Sequence, residues 1–266
     1  MSAADTRTGY EHITVGRDGS TGRLTLNRPN RRNALSLALM QEAIAALHEL
    51  SADSECRVIV IAGNGPAFSA GHDLSEMRGR ERAFYDELFT VCTQLMQTIH
   101  QVPQPVIARV HGIATAAGCQ LVATCDLAVA ADEASFATPG VKIGLFCSTP
   151  MVAVSRAVGR KRAMEMLLTG TPIDARTALD WGLVNRVVPA AELDAAVDDL
   201  VARVTASSAY TLAVGKAAFW EQIDRSEPGA YELTQQVMAA NAAATDAQEG
   251  IGAFLDKRHP NWTHGA

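Results

Sequence analysis

The sequence predicts an α/β fold, because short β-branched apolar segments alternate with amphipathic helices along most of the chain. Three segments have the composition of strands that are buried on both faces: CRVIVIAG (56–63), PVIARVHG (105–112) and DLAVAAD (126–132). A helical pattern from about residue 80 to 102 separates the first two. Since parallel strands are joined by right-handed crossovers, we expect a sheet with helices packed against it.

The chain is predicted to begin with a β-hairpin and a long helix. YEHITVG (10–16) and GRLTLN (22–27) are β-rich, and the Asp-Gly pair between them favours a turn. LSLALMQEAIAALHEL (35–50) then has apolar residues at three- and four-residue steps, which is typical of an amphipathic helix. By contrast, GNGPAFSAGHDL (63–74) is too rich in Gly, Pro and Asn for regular structure, and ATAAGC (114–119) predicts a turn that leads into a helix.

The C-terminal part of the sequence has a helical pattern, interrupted only by the strand-like LVNRVV (183–188). Asp174 and Gly182 bracket one helix as its N-cap and its stop. The last helix is predicted to start at TDAQ (245–248), which has the pattern of a capping box.

The composition excludes several classes of protein. With 266 residues, of which 48% are hydrophobic and 20% charged, the chain can bury a large core. A net charge of -6 argues against a nucleic-acid-binding protein, which needs clustered Lys and Arg. No apolar segment approaches membrane-spanning length and no signal peptide is evident, so we predict a cytoplasmic protein without a membrane partner.

Two turns rich in small residues are candidates for a ligand site: SAGHDL (69–74) and TAAGCQ (115–120). Each follows a predicted buried strand, which is where an open α/β sheet places ligand groups. Small residues let main-chain N–H groups approach a ligand, and two such donors can bind one carbonyl oxygen. The alternative is that the small residues only allow tight packing between strand and helix.

Five segments of the chain occur in the order and approximate spacing of a known family. They are NRPNRRNAL, GPAFSAGHDLSEM, PQPVIARVHGIATAAGCQLVATCDLAVA, FATPGVKIGL and QEGIGAFLDKRHPNW. Through them nearly the whole chain resembles the crotonase superfamily of enoyl-CoA hydratases and isomerases. The resemblance is greatest to the hydratase domain-containing subgroup that lacks the usual catalytic glutamates.

The resemblance implies a crotonase-like spiral of ββα units over residues 1–200. Residues 201–266 would form a helical C-terminal trimerisation lobe that covers the CoA site. The implied partner is an acyl-CoA substrate, with coenzyme A entering as part of the substrate and no separate cofactor. A homotrimer or hexamer is the implied assembly.

Residue roles follow from the same resemblance. The main-chain N–H groups of His72 and Ala117 would form an oxyanion hole for the thioester oxygen. The implied CoA-lining residues are Ala70, Asp73, Leu74 and Ser75. Candidate cations for the CoA phosphates are Arg28, Arg31, Arg32, Lys257 and Arg258, and Phe254 with Lys257 would belong to the cover over the CoA.

The chain departs from the hydratase pattern at both catalytic acids. Gln120 stands where one glutamate is usual, and Gly140, after Pro139, stands where the other is usual. A carboxylate can take a proton from water and return it to carbon, whereas an amide can only form hydrogen bonds. Ordinary hydratase activity is therefore not expected.

Other ionisable groups near these motifs have a structural and a chemical interpretation. The His72 imidazole is interpreted as structural rather than catalytic, and Cys119 and Cys125 as small core thiols. Lys142 and Cys147 are either unconventional acids or packing residues. No metal site is expected, because the histidines lack ligand spacing such as HExxH.

Three functions stay open at this point. An acyl-CoA enzyme could form its enolate without a carboxylate base, for example by decarboxylation of a malonyl-type thioester. Slow hydration or isomerisation is the conventional alternative. A non-catalytic acyl-CoA-binding protein would retain the fold and pocket alone, since a fold does not establish a reaction.

Overall fold

The computed structural model of the chain describes residues 5–7 and 9–265. Its strands are β1 (Asp5–Arg7), β2 (Ile13–Asp18), β3 (Thr21–Leu26), β4 (Val58–Gly63), β5 (Ala67–Ser69), β6 (Val106–Val110), β7 (Ile113–Thr115), β8 (Leu127–Ala131), β9 (Ser135–Ala137), β10 (Ile173–Asp174) and β11 (Arg186–Val188). Its α-helices are α1 (Leu37–Ala52), α2 (Leu74–Met77), α3 (Arg82–Gln101), α4 (Ala117–Thr124), α5 (Pro150–Ala157), α6 (Arg160–Thr169), α7 (Ala175–Trp181), α8 (Leu193–Thr205), α9 (Ala209–Gln222), α10 (Glu227–Ala243) and α11 (Thr245–Leu255).

The strands form two sheets that the chain visits in turn. The larger sheet has the order β1-β2-β3-β4-β6-β8-β11 and is parallel from β3 onward. The smaller sheet has the order β10-β9-β7-β5. In each ββα repeat, a longer strand belongs to the larger sheet, the short strand that follows it belongs to the smaller sheet, and a helix comes next. This is the spiral of ββα units that the family resemblance implied.

The long elements agree with the sequence predictions. The hairpin β2–β3, the helices α1 and α3, and the buried strands β4, β6 and β8 all form where the patterns placed them. Helix α7 begins and ends where the sequence predicts. The Asp174 side chain accepts a hydrogen bond from the N–H of Thr177 as the N-cap, and Gly182 ends the helix with a left-handed backbone conformation.

The small sheet corrects two predictions. Strand β5 lies inside the 63–74 segment that was predicted to be irregular, and β7 overlaps the start of the predicted turn at 114–119. Each strand has only three residues, which is too short for a period-two pattern to be visible. They form because Ala67 pairs with Ile113 and Thr115 pairs with Ala137, so tertiary pairing decides where local composition does not.

The capping-box prediction for the last helix is wrong. Thr245 is already helical, and the N-cap is Ala244, which forms no side-chain capping bond. Asp246 is instead fully buried and accepts hydrogen bonds from the main-chain N–H groups of Thr263 and His264. The acidic residue therefore anchors the C-terminal segment to α11.

The C-terminal helices begin without a clear break from the core. Helix α8 packs Leu193, Val197 and Val201 against the face of the larger sheet opposite α1 and α3. The predicted boundary between residues 200 and 201 lies inside this helix, so the division into two domains stays a prediction. Within the described ranges, no helix is both long and apolar enough to cross a bilayer.

Candidate active site

The two turns singled out from the sequence are in direct contact at Gly71. This glycine has a left-handed φ of +85°. A Cβ atom built on it would lie 2.8 Å from the Cβ of Ala116 and 3.1 Å from the main-chain nitrogen of Ala117. Only a residue without a side chain allows this approach, so the glycine brings the chain at His72 close to the start of α4.

Further contacts hold the same two turns together. A Cβ atom on Gly118 would lie 2.3 Å from the carbonyl oxygen of Ser69. The Thr115 hydroxyl donates a hydrogen bond to the carbonyl oxygen of Ala70 at 3.0 Å. Tight packing and a ligand site, which the sequence posed as alternatives, are therefore compatible here.

The backbone just before α4 is strained. Ala116 has φ 50° and ψ -119°, which residues other than glycine rarely adopt and which costs on the order of 1–3 kcal/mol. Its N–H donates to the carbonyl oxygen of Ala137 at 2.9 Å, and this bond to β9 helps hold the conformation. The next residue, Ala117, begins the helix, where an N–H group has no intrahelical acceptor.

The main-chain N–H of His72 is also without an acceptor among the described residues. Leu35 forms a parallel bridge beside it, donating to the carbonyl oxygen of Gly71 and accepting from the N–H of Asp73. In such a bridge the N–H of the central residue faces away from the partner strand. Two unsatisfied main-chain donors, at His72 and Ala117, thus lie on the two touching turns.

A cavity of about 450 Å³ opens at this point. Five of the predicted site residues line it: Ala70, His72, Leu74, Ala117 and Gly140. The rest of the lining is mostly apolar and includes Phe89, Ile143 and Phe146, together with Lys142 and Cys147. No aspartate or glutamate is among the described residues that line this cavity, which we call cavity 1.

A family model for enoyl-CoA hydratase/isomerase matches residues 16–265. The chain belongs to this family. It is 48% identical over 243 residues to the rat mitochondrial enoyl-CoA hydratase domain-containing protein 3, covering 91% of this chain and 81% of the relative. The crystal structure of an enoyl-CoA hydratase from Mycobacterium smegmatis superposes with a TM-score of 0.93 at 49% identity, covering 95% of this chain and 99% of that chain. The human enoyl-CoA hydratase domain-containing protein 3 superposes with a TM-score of 0.92 at 45% identity, covering 95% and 100%.

The names of the vertebrate relatives bear on location. The rat and human proteins are both named mitochondrial. This naming does not agree with the cytoplasmic location predicted from the sequence, which stays a prediction.

Gln120 and Gly140 line different cavities. The Gln120 side chain is buried and lines a second cavity of about 320 Å³, which we call cavity 2. The Oε1 atom of Gln120 lies 3.9 Å from the thiol sulfur of Cys92, a weak contact. The two positions of the missing glutamates therefore belong to neighbouring cavities in this family member.

Gly140 has no room for any side chain. A Cβ atom on it would lie 2.0 Å from the carbonyl oxygen of Leu145 and 2.9 Å from the sulfur of Cys147. The N–H of Leu145 donates to the carbonyl oxygen of Gly140 at 2.9 Å, so residues 140–145 fold back over the position of the missing acid.

Restoring the glutamate at Gly140 is therefore expected to destabilise the protein without restoring hydration. The collision requires a main-chain shift, and overpacking of this kind costs about 1–3 kcal/mol. We expect Gly140→Glu to unfold at lower urea concentration and to show no gain in crotonyl-CoA hydration. Gly215→Glu is the matched control, because it introduces the same side chain at a position where a Cβ meets no atom within 4 Å. An equal loss of stability in both variants would contradict the steric explanation.

The His72 ring is shielded rather than reactive. Both ring nitrogens are buried without a hydrogen-bond partner, and the ring meets Phe89 edge-on with centroids 5.4 Å apart. Burial lowers the pKa of His72. The main chain of Leu35 opposes this shift, although it does not form a hydrogen bond with the ring. A neutral, enclosed imidazole fits the structural role favoured from the sequence.

The cysteines near the site are protonated thiols. Burial raises the pKa of Cys119 to about 12 and also raises the pKa of Cys125. Burial likewise raises the pKa of Cys147, which lines cavity 1. None of the three is poised as a thiolate nucleophile.

Three of the predicted CoA contacts are bound to one another. Arg28 pairs with Asp73 at 3.0 Å, and the Ser75 hydroxyl donates to the same carboxylate at 2.5 Å. Burial raises the pKa of Asp73, but the hydrogen bonds from Ser75 and Arg28 outweigh it, so the pKa is lowered. This cluster fixes the loop before α2, and Arg28 is not a free cation for a phosphate.

The other predicted cations are not gathered at cavity 1 or cavity 2. Arg31, Arg32 and Lys257 are exposed and line neither cavity. Arg258 is held by a bidentate pair with Glu249 at 2.7 and 2.9 Å. Phe254 is 82% exposed, so within one chain the last helix does not cover the cavity as predicted.

Two features of the site have no counterpart in the sequence reasoning. Phe89 lines cavity 1 from α3, yet in the sequence it is one apolar position on a helical face. The strained backbone of Ala116 carries no compositional signal, since alanine does not favour a positive φ. In the described part of the chain, no group of three or more His, Cys, Asp or Glu side chains is arranged to hold a metal ion.

Proposed function

We propose that the chain is an acyl-CoA enzyme that binds its thioester in cavity 1 and stabilises the enolate oxygen with the main-chain N–H groups of His72 and Ala117. The observation that carries this proposal is the close contact between the two turns at Gly71. A Cβ atom added to Gly71 would lie only 3.1 Å from the main-chain nitrogen of Ala117. Negative charge develops on the thioester oxygen in the transition state, and each preorganised donor is worth about 3 kcal/mol there.

The reaction favoured by this site forms the enolate without a carboxylate base. No aspartate or glutamate lines cavity 1 among the described residues, and the lining is mainly apolar. Decarboxylation of a malonyl-type thioester meets this condition. The bond between the carboxylate and the α-carbon breaks, CO₂ leaves, the electron pair passes to the thioester oxygen, and a proton from water then adds to the α-carbon.

A substrate panel tests the proposal. Crotonyl-, 3-enoyl- and malonyl-type CoA esters are offered at matched concentration, while calorimetry measures their binding. We expect all three classes to bind and the malonyl-type ester to turn over fastest. Binding without turnover of any ester would support the non-catalytic alternative, and absence of binding would overturn the proposal.

Replacing Gln120 by glutamate is expected to change crotonyl-CoA hydration by less than about tenfold. A positioned acid or base contributes roughly 10² to 10⁴ in rate. A carboxylate at position 120 would line cavity 2, where the acid already present, Asp224, is held in an ion pair with Arg156. Gln97→Glu, which lines the same cavity, is the matched control. A rise of a hundredfold or more in Gln120→Glu alone would show that position 120 reaches the substrate directly.

We also propose a homotrimer or hexamer. Tyr231 and Met238 on α10, and Phe254 and Leu255 on α11, are each more than two-thirds exposed. Apolar side chains at this density favour burial against another subunit. Light scattering tests the assembly: a monomer at micromolar concentration would contradict it.

A further inference from the structure

A single charged side chain, that of Lys142, is found among the described residues that line cavity 1. The other lining groups are apolar side chains, glycine, the neutral His72 imidazole, a thiol and two hydroxyl groups. The side chains around this cavity therefore carry one net positive charge, although the whole chain has a net charge of -6. A local positive charge of this kind selects for an anionic group in the ligand.

A short turn fixes the main chain of Lys142. The residue belongs to the 3-10 turn Pro139–Ile143, which ends at the left-handed Gly144. The N–H of Leu145 donates to the carbonyl oxygen of Gly140 at 2.9 Å, so the turn is closed by a hydrogen bond across its base. Lys142 is thus held in the wall of cavity 1, two residues after Gly140.

The aliphatic part of the Lys142 side chain lies against the end of α6. Gly170 ends that helix, and a Cβ atom on it would lie 3.2 Å from the Cε atom of Lys142 and 3.0 Å from the Cα atom of Pro139. The glycine leaves room for the side chain there. Because the methylene groups are already packed, binding an anion at the ammonium group costs less conformational entropy.

The ammonium group of Lys142 is available to a ligand. Within the part of the chain that the structure describes, no hydrogen bond or ion pair involves it. The nearby cations Arg28 and Arg156 are by contrast paired, with Asp73 and Asp224. A ligand that fills the apolar cavity and displaces water would strengthen the attraction between the ammonium group and an anion, because charges are screened less in a medium of low dielectric constant.

We propose that Lys142 binds a free carboxylate on the acyl group, so that the substrate class is the 2-carboxyacyl-CoA thioesters, of which malonyl-CoA is the simplest. This rests on the proposed function, which places the thioester oxygen at the main-chain N–H groups of His72 and Ala117. A carboxylate on the α-carbon is the one whose loss as CO₂ leaves its electron pair for the enolate.

Lys142 determines specificity in this proposal and transfers no proton. The ion pair forms when the substrate binds, before any bond breaks. When the bond to the α-carbon breaks, the carboxylate becomes neutral CO₂ and its electron pair passes to the thioester oxygen. The contact therefore favours the substrate over the acyl-CoA product, and it should lower KM rather than raise kcat.

Two thioether analogues measure this contact without turnover. S-(2-carboxyethyl)-CoA has a carboxylate at the same distance from sulfur as malonyl-CoA, but a methylene group replaces the thioester carbonyl, so no enolate can form. S-propyl-CoA has a methyl group in place of the carboxylate. By calorimetry, we expect the wild type to bind the carboxyethyl analogue about tenfold more tightly than the propyl analogue. Lys142→Met should lose this preference, and Lys142→Arg, which keeps the charge, should retain most of it.

Lys161→Met is the matched control. Lys161 is an exposed lysine on α6 that lines neither cavity 1 nor cavity 2, and its replacement removes the same charge. This variant should bind both analogues as the wild type does. With malonyl-CoA itself, Lys142→Met should raise KM about tenfold and change kcat by less than about twofold, because the ion pair is present in the ground state.

The failures of this inference and of the proposed function are distinguishable. Equal weakening of both analogues in Lys142→Met would show that Lys142 binds the CoA part that they share. That result, or an unchanged preference in Lys142→Met, overturns the carboxylate inference and leaves the proposed function standing. A preference that is lost only in Lys142→Met supports the contact, and if the wild type then fails to decarboxylate malonyl-CoA, the proposed reaction alone is overturned.

Discussion

Replacing Gly71 with alanine is expected to lower kcat/KM by about 10² to 10³ for the thioester that the protein turns over best. The added methyl group would lie 2.8 Å from the Cβ of Ala116 and 3.1 Å from the nitrogen of Ala117. The two turns have to move apart, and His72 and Ala117 then no longer direct their N–H groups at one oxygen. Loss of one preorganised oxyanion donor typically lowers the rate by about 10² to 10³.

Gly79→Ala separates this effect from the general cost of a left-handed alanine. Gly79 also has a positive φ, +68°, but a Cβ there meets no atom within 4 Å. Both variants should lose stability from the backbone strain, Gly71→Ala should lose more because its methyl group also collides with Ala116, and only Gly71→Ala should lose turnover. Circular dichroism checks that both are folded, and wild-type turnover in a folded Gly71→Ala variant would refute the proposed role of these donors.

The sequence predicted the parts of the fold in which burial imposes a pattern. Strands β4 and β8 are buried on both faces, so their apolar runs are visible without any knowledge of neighbours. Strand β5 is defined by pairing with β7, a partner that lies more than forty residues away in the chain. A three-residue strand of this kind depends on tertiary contacts, which a local pattern does not encode.

For the site, the sequence identified residue types but not their partners. The small residues of the two turns were visible, and the structure brings those turns together at Gly71 and Ala117. The side chains of Arg28 and Asp73 were assigned to the ligand, yet they bind each other. The sequence of a motif does not show whether an arginine binds a phosphate or a carboxylate of the same chain. The partner is known only once the fold is known.

Replacing Lys216 with methionine is expected to lower the free energy of unfolding by about 3 kcal/mol. The Lys216 ammonium is 6% exposed and lies 2.7 Å from the carboxylate of Asp126. It also donates to the carbonyl oxygens of Ile99 and Gln104 at 2.7 and 2.8 Å. Burial lowers the pKa of Lys216 while Asp126 opposes the shift, so the pair is mutually dependent. Methionine keeps the volume but leaves the partly buried carboxylate of Asp126 without its cation.

Urea denaturation at fixed protein concentration measures the loss. Arg82→Met is the matched control, since it removes a cation from an ion pair with Asp86 whose side chains are 86% and 59% exposed, and it should leave the stability almost unchanged. The double variant Asp126→Asn with Lys216→Met should regain only part of the loss, because no uncompensated charge is left, but one amide oxygen cannot accept from both the Val106 N–H and the Trp220 indole N–H. Equal losses in Lys216→Met and Arg82→Met would refute the buried-pair explanation.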